Sequence, residues 1–148
     1  MATVRELGAL LHAASSRLAT LGDRVLAPLK VTSAQWKVLV LLARHGDLRV
    51  SMIVEMLQHD QAAVSRLVTR MKRTGLVRRR DDPNDARAGV VQLTAMGRTT
   101  YHQCEARLRA VMGGLERSMK PAERVLLKSL LSRFASAIDD SVKKRTVR

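Results

Sequence analysis

Apolar side chains recur along the first 25 residues at alternating spacings of three and four: Val4, Leu7, Leu11, Ala14, Leu18, Leu21 and Val25. Such a stripe occupies one face of an α-helix and predicts a long amphipathic helix ending near Pro28. A seam this narrow cannot bury itself, so the rest of the chain or a second copy must cover it. A second helix starts at Thr32 or Ser33, either of which can cap it, with Gln35 or Trp36 in its first turn. Its run AQWKVLVLLARHG supplies core candidates in Trp36, Val38, Leu39, Leu41 and Leu42, and Gly46 ends it. The segment VSMIVEMLQ follows as a short helix opened by Ser51. Gln58, His59 and Asp60 form a tight turn, Asp60 caps the next helix, QAAVSRLVTRMKR, and Gly75 closes it.

That helix is divided lengthwise. Val64, Leu67, Val68 and Met71 form one apolar stripe, while Gln61, Ser65, Arg66, Thr69, Arg70, Lys72 and Arg73 fill the remaining surface. Two helices joined by about three residues, the second studded with cations, have the form of a helix-turn-helix. After Gly75 the pattern changes: LVRRR and GVVQL read as strands around the turn DDPNDARA. A β-hairpin directly after a recognition helix is a wing. Thr94 then caps a long helix to about Leu115, with Leu108, Val111, Met112 and Leu115 as its stripe and Gly113 and Gly114 weakening its end. Pro121 starts a last helix with Leu126, Leu127, Leu130, Leu131, Phe134 and Ile138 on its apolar face, and the tail VKKRTVR is expected to fray. The fold expected is mainly α with a small β-hairpin wing, as one domain over residues 1–148.

Composition narrows this further. With 148 residues and 46% apolar content, the chain suffices for one core. Aromatics are 2%, so aliphatic side chains must fill that core, which suits packed helices. No apolar run reaches the roughly 18 residues of a membrane span. The N-terminal stretch lacks the apolar centre of a signal peptide, and the single Cys104 excludes an intrachain disulfide. A cytoplasmic protein is expected. Catalysis would need a reactive constellation, and none stands out. His12, His45, His59 and His102 are scattered, and His102 and Cys104, two apart on a helix, point about 200° apart. No metal or other cofactor is expected, and Cys104 reads as a packing residue.

The formal net charge of +14 changes the picture most. Between Arg66 and Arg98 stand nine basic residues against three acids. A cluster of that density on a helix-turn-helix attracts double-stranded DNA. Gln61, Ala62, Ser65, Arg66, Thr69 and Arg70 are the candidates to face the major groove, with Ser51 on the preceding helix beside them. Arg78, Arg79 and Arg80 can meet phosphates, and the turn can project Arg87 into the adjacent minor groove. Asp85, two residues before Arg87, can hold that guanidinium extended by accepting its hydrogen bonds.

The order TSAQWKVLVLL, then DQAAVSRLVTRMKRTGLVRR, then DDPNDARAGVVQLTAMGR closely resembles the MarR family of bacterial transcriptional regulators. The specific parts are the recognition-helix frame, the DP-x-D-x-R wing and the LT-x-x-G-R opening of the next helix. The resemblance implies a winged helix-turn-helix over residues 32–98 and a helical dimerisation region from 1–30 and 99–142. It implies a homodimer on a pseudo-palindromic operator, usually a repressor, released by an anionic or phenolic small molecule. His12, Arg17, Arg24 and Trp36 are candidates for lining the effector pocket. Three departures stand out. Ile53-Val54 replaces the usual pair in the short helix, His59 takes a turn position as a partly buried histidine, and Ala62-Ala63 shifts base reading toward Gln61, Ser65, Arg66 and Arg70. The rival from another class is a sequence-independent architectural nucleic-acid-binding protein, which would share the charge without needing the wing.

Overall fold

The computed structural model describes residues 3–82 and 85–146, with the side chains of 81–88 and 143–146 outside that description. Helix α1 (Val4–Leu26) opens on a capping box: the Thr3 hydroxyl accepts from the Glu6 amide at 3.2 Å, and the Glu6 carboxylate accepts from the Thr3 amide at 2.6 Å. The bond from the Thr3 amide, and a second one donated by the Thr3 hydroxyl at 3.1 Å, hold the Glu6 carboxyl below the usual carboxylate range. A 3-10 turn, Ala27–Leu29, follows, with Pro28 inside it. Helix α2 (Ser33–His45) is capped by Thr32 in a second box, closed by Gln35. The two helices are tied by Ser33, whose amide donates to Asp23 Oδ1 at 2.6 Å and whose hydroxyl donates to the Ala19 carbonyl at 3.0 Å.

Strand β1 (Leu48–Arg49) leads directly into α3 (Val50–Leu57), and α4 (Gln61–Arg73) follows a short turn. Strands β2 (Val77–Asp82) and β3 (Asp85–Leu93) form the hairpin, and α5 (Ala95–Arg117) and α6 (Pro121–Thr146) complete the chain. The sheet is antiparallel in the order β1-β3-β2, with Leu48 opposite Val91, Arg78 opposite Gln92 and Arg80 opposite Val90. Alternation along the strands turns Val77, Val91 and Leu93 into the core. There they meet Val38, Leu39 and Leu42 of α2, Ile53 of α3, Val64, Val68 and Met71 of α4, and Cys104 of α5. Each such side chain contributes roughly 1.5–3 kcal/mol by leaving water.

This core belongs to a compact unit reaching Arg109. A second unit, from Ala110, holds the last turns of α5 and α6. Within the second unit the Glu123 carboxylate accepts from the Lys120 amide at 2.7 Å, and Arg124 donates to the Glu116 carbonyl at 3.2 Å.

The joint between α4, the hairpin and α5 is made by Thr94. Its hydroxyl donates to the Gly75 carbonyl at 2.6 Å and accepts from the Gly97 amide at 2.9 Å, while its own amide donates to the Leu76 carbonyl at 3.2 Å. Gly97 is buried against Leu76 so closely that a methyl group there would overlap the Leu76 carbonyl oxygen. The LT-x-x-G spacing is thus a capping threonine plus the one residue small enough to sit on the chain leaving α4.

The helices and the hairpin match the sequence expectation, with three corrections. Ser51 does not open α3; the helix starts at Val50, with Arg49 at the cap position because β1 pairing holds that residue extended. The hairpin carries a third strand, β1, which at two residues is too short to leave a periodic signal. The tail remains helical through Thr146.

Replacement of Gly97 by alanine should lower stability by about 1–3 kcal/mol or more, because backbone lies in the way and cannot rotate aside as a side chain would. Thermal unfolding would show this as a lower midpoint. An unchanged midpoint would mean that the α4–α5 joint is not as tight as this.

Candidate nucleic-acid interface

Helix α4 begins where Asp60 Oδ1 accepts from the Ala63 amide at 2.9 Å. Its 3.6-residue period then buries Val64, Val68 and Met71 and leaves Gln61, Ala62, Arg66, Thr69, Arg70, Lys72 and Arg73 exposed, with Ser65 half-buried. The exposed face is flanked by two concavities. One, of about 250 Å³, lies between α4, the start of α3 and β2, and is lined by Val50, Gln61, Ser65, Val68, Thr69, Lys72, Val77, Arg78 and Arg79. The other, of about 180 Å³, is lined by Arg66, Thr69, Arg70 and Arg73. The structure therefore brings Gln61, Ser65, Thr69 and Arg78 to one side of the helix and Arg66 and Arg70 to the other, Thr69 lining both. Ala62 is exposed on the first turn, and Ser51 is exposed on the first turn of α3.

Hydrogen bonds limit what some of these side chains can offer. The Thr69 hydroxyl donates to the Ser65 carbonyl at 2.9 Å, so its proton is committed and its oxygen can only accept. Arg78 Nε donates to Gln92 Oε1 at 2.8 Å across the strand pair. The Arg79 side chain passes over Gly89, where a methyl group would come 2.9 Å from its Nε. Arg80 is exposed on β2. Among the described residues the ion pairs lie elsewhere, between Arg109 and Glu105 at 3.1 Å and between Arg124 and Glu116 at 3.8 Å. The α4 cations thus present undischarged positive charge to solvent, where a polyanion can replace their counterions. Asp85 and Arg87 fall within β3, but their side chains, like those of Asp81 and Asp82, lie outside the described residues, and with them the expected Asp85–Arg87 pairing.

The four effector candidates divide. Arg17 and Arg24 share a concavity of about 290 Å³ on α1 with Ser16, Thr20 and Leu21. His12 is exposed on the same helix, outside that lining. Trp36 is half-buried and stacked on Tyr101, with ring centroids 5.3 Å apart and planes 13° from parallel, so one of its faces is spent on joining α2 to α5. His59, expected to be partly buried, is exposed, because the α3–α4 turn ends its helix at Gln58 in the left-handed region and leaves the next residue outside the packed layer. Among the described residues no group of three or more His, Cys, Asp or Glu side chains could hold a metal ion, and no single helix is long and apolar enough to cross a membrane.

Lys72 and Arg79, already legible as part of the cationic cluster, line the larger concavity, whereas Gln92, which holds Arg78, carries no such signal in the sequence. The hairpin register would have found Gln92, since it faces Arg78 directly, but register is not readable until the turn is placed.

The comparisons with known proteins agree with this geometry. The model of the MarR family matches residues 29–88. The multiple antibiotic resistance protein MarR of Escherichia coli is 33% identical over 98 residues, covering 66% of this chain and 68% of that protein. The repressor NicR of Pseudomonas putida is 26% identical over 136 residues, covering 92% and 86%. A variant of E. coli MarR solved with operator DNA superposes with a TM-score of 0.81 at 29% identity, over 86% of this chain and 92% of that one. BpsR of Bordetella bronchiseptica, whose DNA binding is regulated by 6-hydroxynicotinic acid, superposes with a TM-score of 0.79 at 27% identity, over 91% and 96%.

Cys104 has no exposed surface, and burial pushes its thiol up, with Arg107 pulling the other way. A thiol reagent at pH 8 should therefore modify native protein far more slowly than unfolded protein. Because the folded state favours the protonated thiol, the contribution of this group is intact at neutral pH and is lost as pH rises through and above about 8.5, the free-thiol value. Fast modification of the native protein would contradict this placement.

Proposed function

The chain belongs to the MarR family of transcriptional regulators, and on that premise we propose that it is a homodimeric repressor holding a pseudo-palindromic operator until a small aromatic or anionic effector releases it. The observation that carries this reading is the exposed face of α4, with four cations and a groove on either side, next to a hairpin that continues the positive surface. Laid in the major groove, α4 presents Gln61 to an adenine edge, the Ala62 methyl to a thymine methyl, and Arg66 or Arg70 to guanine. Thr69 contributes an acceptor only, which suits a base amino group and repels a phosphate. Arg78 and Arg80 meet the backbone, and Arg87 enters the minor groove, where a narrow A·T-rich segment concentrates negative potential.

A second copy accounts for the apolar surface that one chain leaves in water. On α1, Val4 is 73% exposed, and Leu7, Leu10 and Leu18 are exposed with it. In the second unit Leu126, Leu127, Leu130, Leu131 and Ile138 are exposed along α6. Exposed apolar patches of this kind mark interfaces. Two such subunits present two α4 helices to half-sites about one helical turn, roughly 10 bp, apart. For the effector, the paired guanidinium groups of Arg17 and Arg24 on α1 offer a carboxylate two charged partners, and the aromatic acid that regulates BpsR has the matching chemistry.

Binding to the operator should weaken by about 1–3 kcal/mol when Arg66 is replaced by alanine if it reads a base. A loss of equal size on random duplex would reassign Arg66 to a phosphate. Arg87→Ala should weaken operator binding and reduce the salt slope by about one counterion. If affinity and slope were both unchanged in a titration at several salt concentrations, Arg87 would have no place in the minor groove.

A further inference from the structure

We infer that Gln92 is a positioning residue for DNA binding: its side-chain carbonyl fixes the Arg78 guanidinium so that the two terminal nitrogens are directed at a phosphate. The inference rests on the reading of α4 and the hairpin as the DNA-binding surface. Gln92 lies on β3, the central strand of the sheet, and faces Arg78 of β2 in register. Arg78 Nε donates to Gln92 Oε1 at 2.8 Å. A guanidinium can bind an oxyanion through its Nε–Nη edge or through its Nη–Nη fork. The bond to Gln92 occupies the first of these, so only the fork remains for a ligand.

Placement makes this consequential. Arg78 lines the same concavity as Gln61, Ser65, Thr69 and Lys72 of α4, so its fork belongs to the surface that presents the base-reading residues. An arginine free to rotate would lose rotamer freedom on meeting a phosphate, and one already held by a half-buried partner loses less. Gln92 therefore supports affinity without touching DNA. It carries no charge, so it holds the guanidinium without neutralising it, as a carboxylate at that position would. Its effect is on the backbone contact alone and is blind to base sequence.

The test is a double-mutant cycle. Gln92→Ala and Gln92→Met, the latter keeping the length of the side chain without its acceptor, are compared with Arg78→Ala and with the double variant Gln92→Ala/Arg78→Ala, on operator and on random duplex. Either Gln92 variant should lower affinity about threefold to tenfold on both duplexes, as expected for one immobilised side chain. The salt slope should stay as in the wild type, because Arg78 still neutralises its phosphate; Arg78→Ala should reduce that slope by about one. In the Arg78→Ala background the Gln92 substitution should have no further effect. Wild-type affinity in both Gln92 variants would overturn the inference. So would a loss that persists without Arg78, since Gln92 would then be acting on the fold or on DNA directly. Failure of the wild type to bind duplex in a salt-dependent way would overturn the DNA-binding reading itself, and is distinguishable from either.

Discussion

The placement of the hairpin beside α4 depends on the Thr94 hydroxyl, which bonds at once to the carbonyl that ends the α4 segment and to the amide that begins α5. Both partners are main-chain groups at helix ends, where the helix itself supplies no bond, so one side chain satisfies a donor and an acceptor left over by two elements. Gly97 completes the joint by letting α5 sit directly on Leu76. The strand that leaves α4 therefore starts from a fixed point in a fixed direction. Without that, Arg78 to Arg80 would carry the same charge but no defined relation to Gln61, Arg66 and Arg70.

Charge then acts on a surface already shaped. The α4 cations are exposed, and none of them takes part in the Arg109–Glu105 or Arg124–Glu116 ion pair. Coulomb attraction alone would make the protein stick to any polyanion. On the proposed reading, discrimination comes from the mixture along one helix face: an amide, a methyl, a hydroxyl restricted to accepting and two guanidinium groups, each suited to a different base edge. The Arg78–Gln92 bond belongs to the same economy of geometry, since it sets the direction of a charge without reducing it.

Much of this was legible in the residues. The helical period of Val64, Val68 and Met71 placed the core face of α4, and with it the exposed one, because burial and exposure on a helix are two sides of one pattern. Thr32, Asp60 and Thr94 announced helix starts because a short side-chain oxygen at those positions has one evident use. What escaped depends on contacts distant in sequence. Strand β1 exists because Leu48 and Arg49 find Val91 and Val90 across some forty residues, and its pairing moved the start of α3 from Ser51 to Val50. Gln92 escaped as well, because its meaning appears only with the strand register.

The central claim is that a shaped cationic surface, and not charge alone, selects the duplex. It is tested most directly by titrating the purified protein against its own upstream promoter and against a scrambled duplex of equal length and composition, at several salt concentrations. Selection by shape predicts parallel steep salt dependences with the promoter bound at least about a thousandfold more tightly at physiological salt. Equal affinity for the two duplexes across the salt series would contradict it.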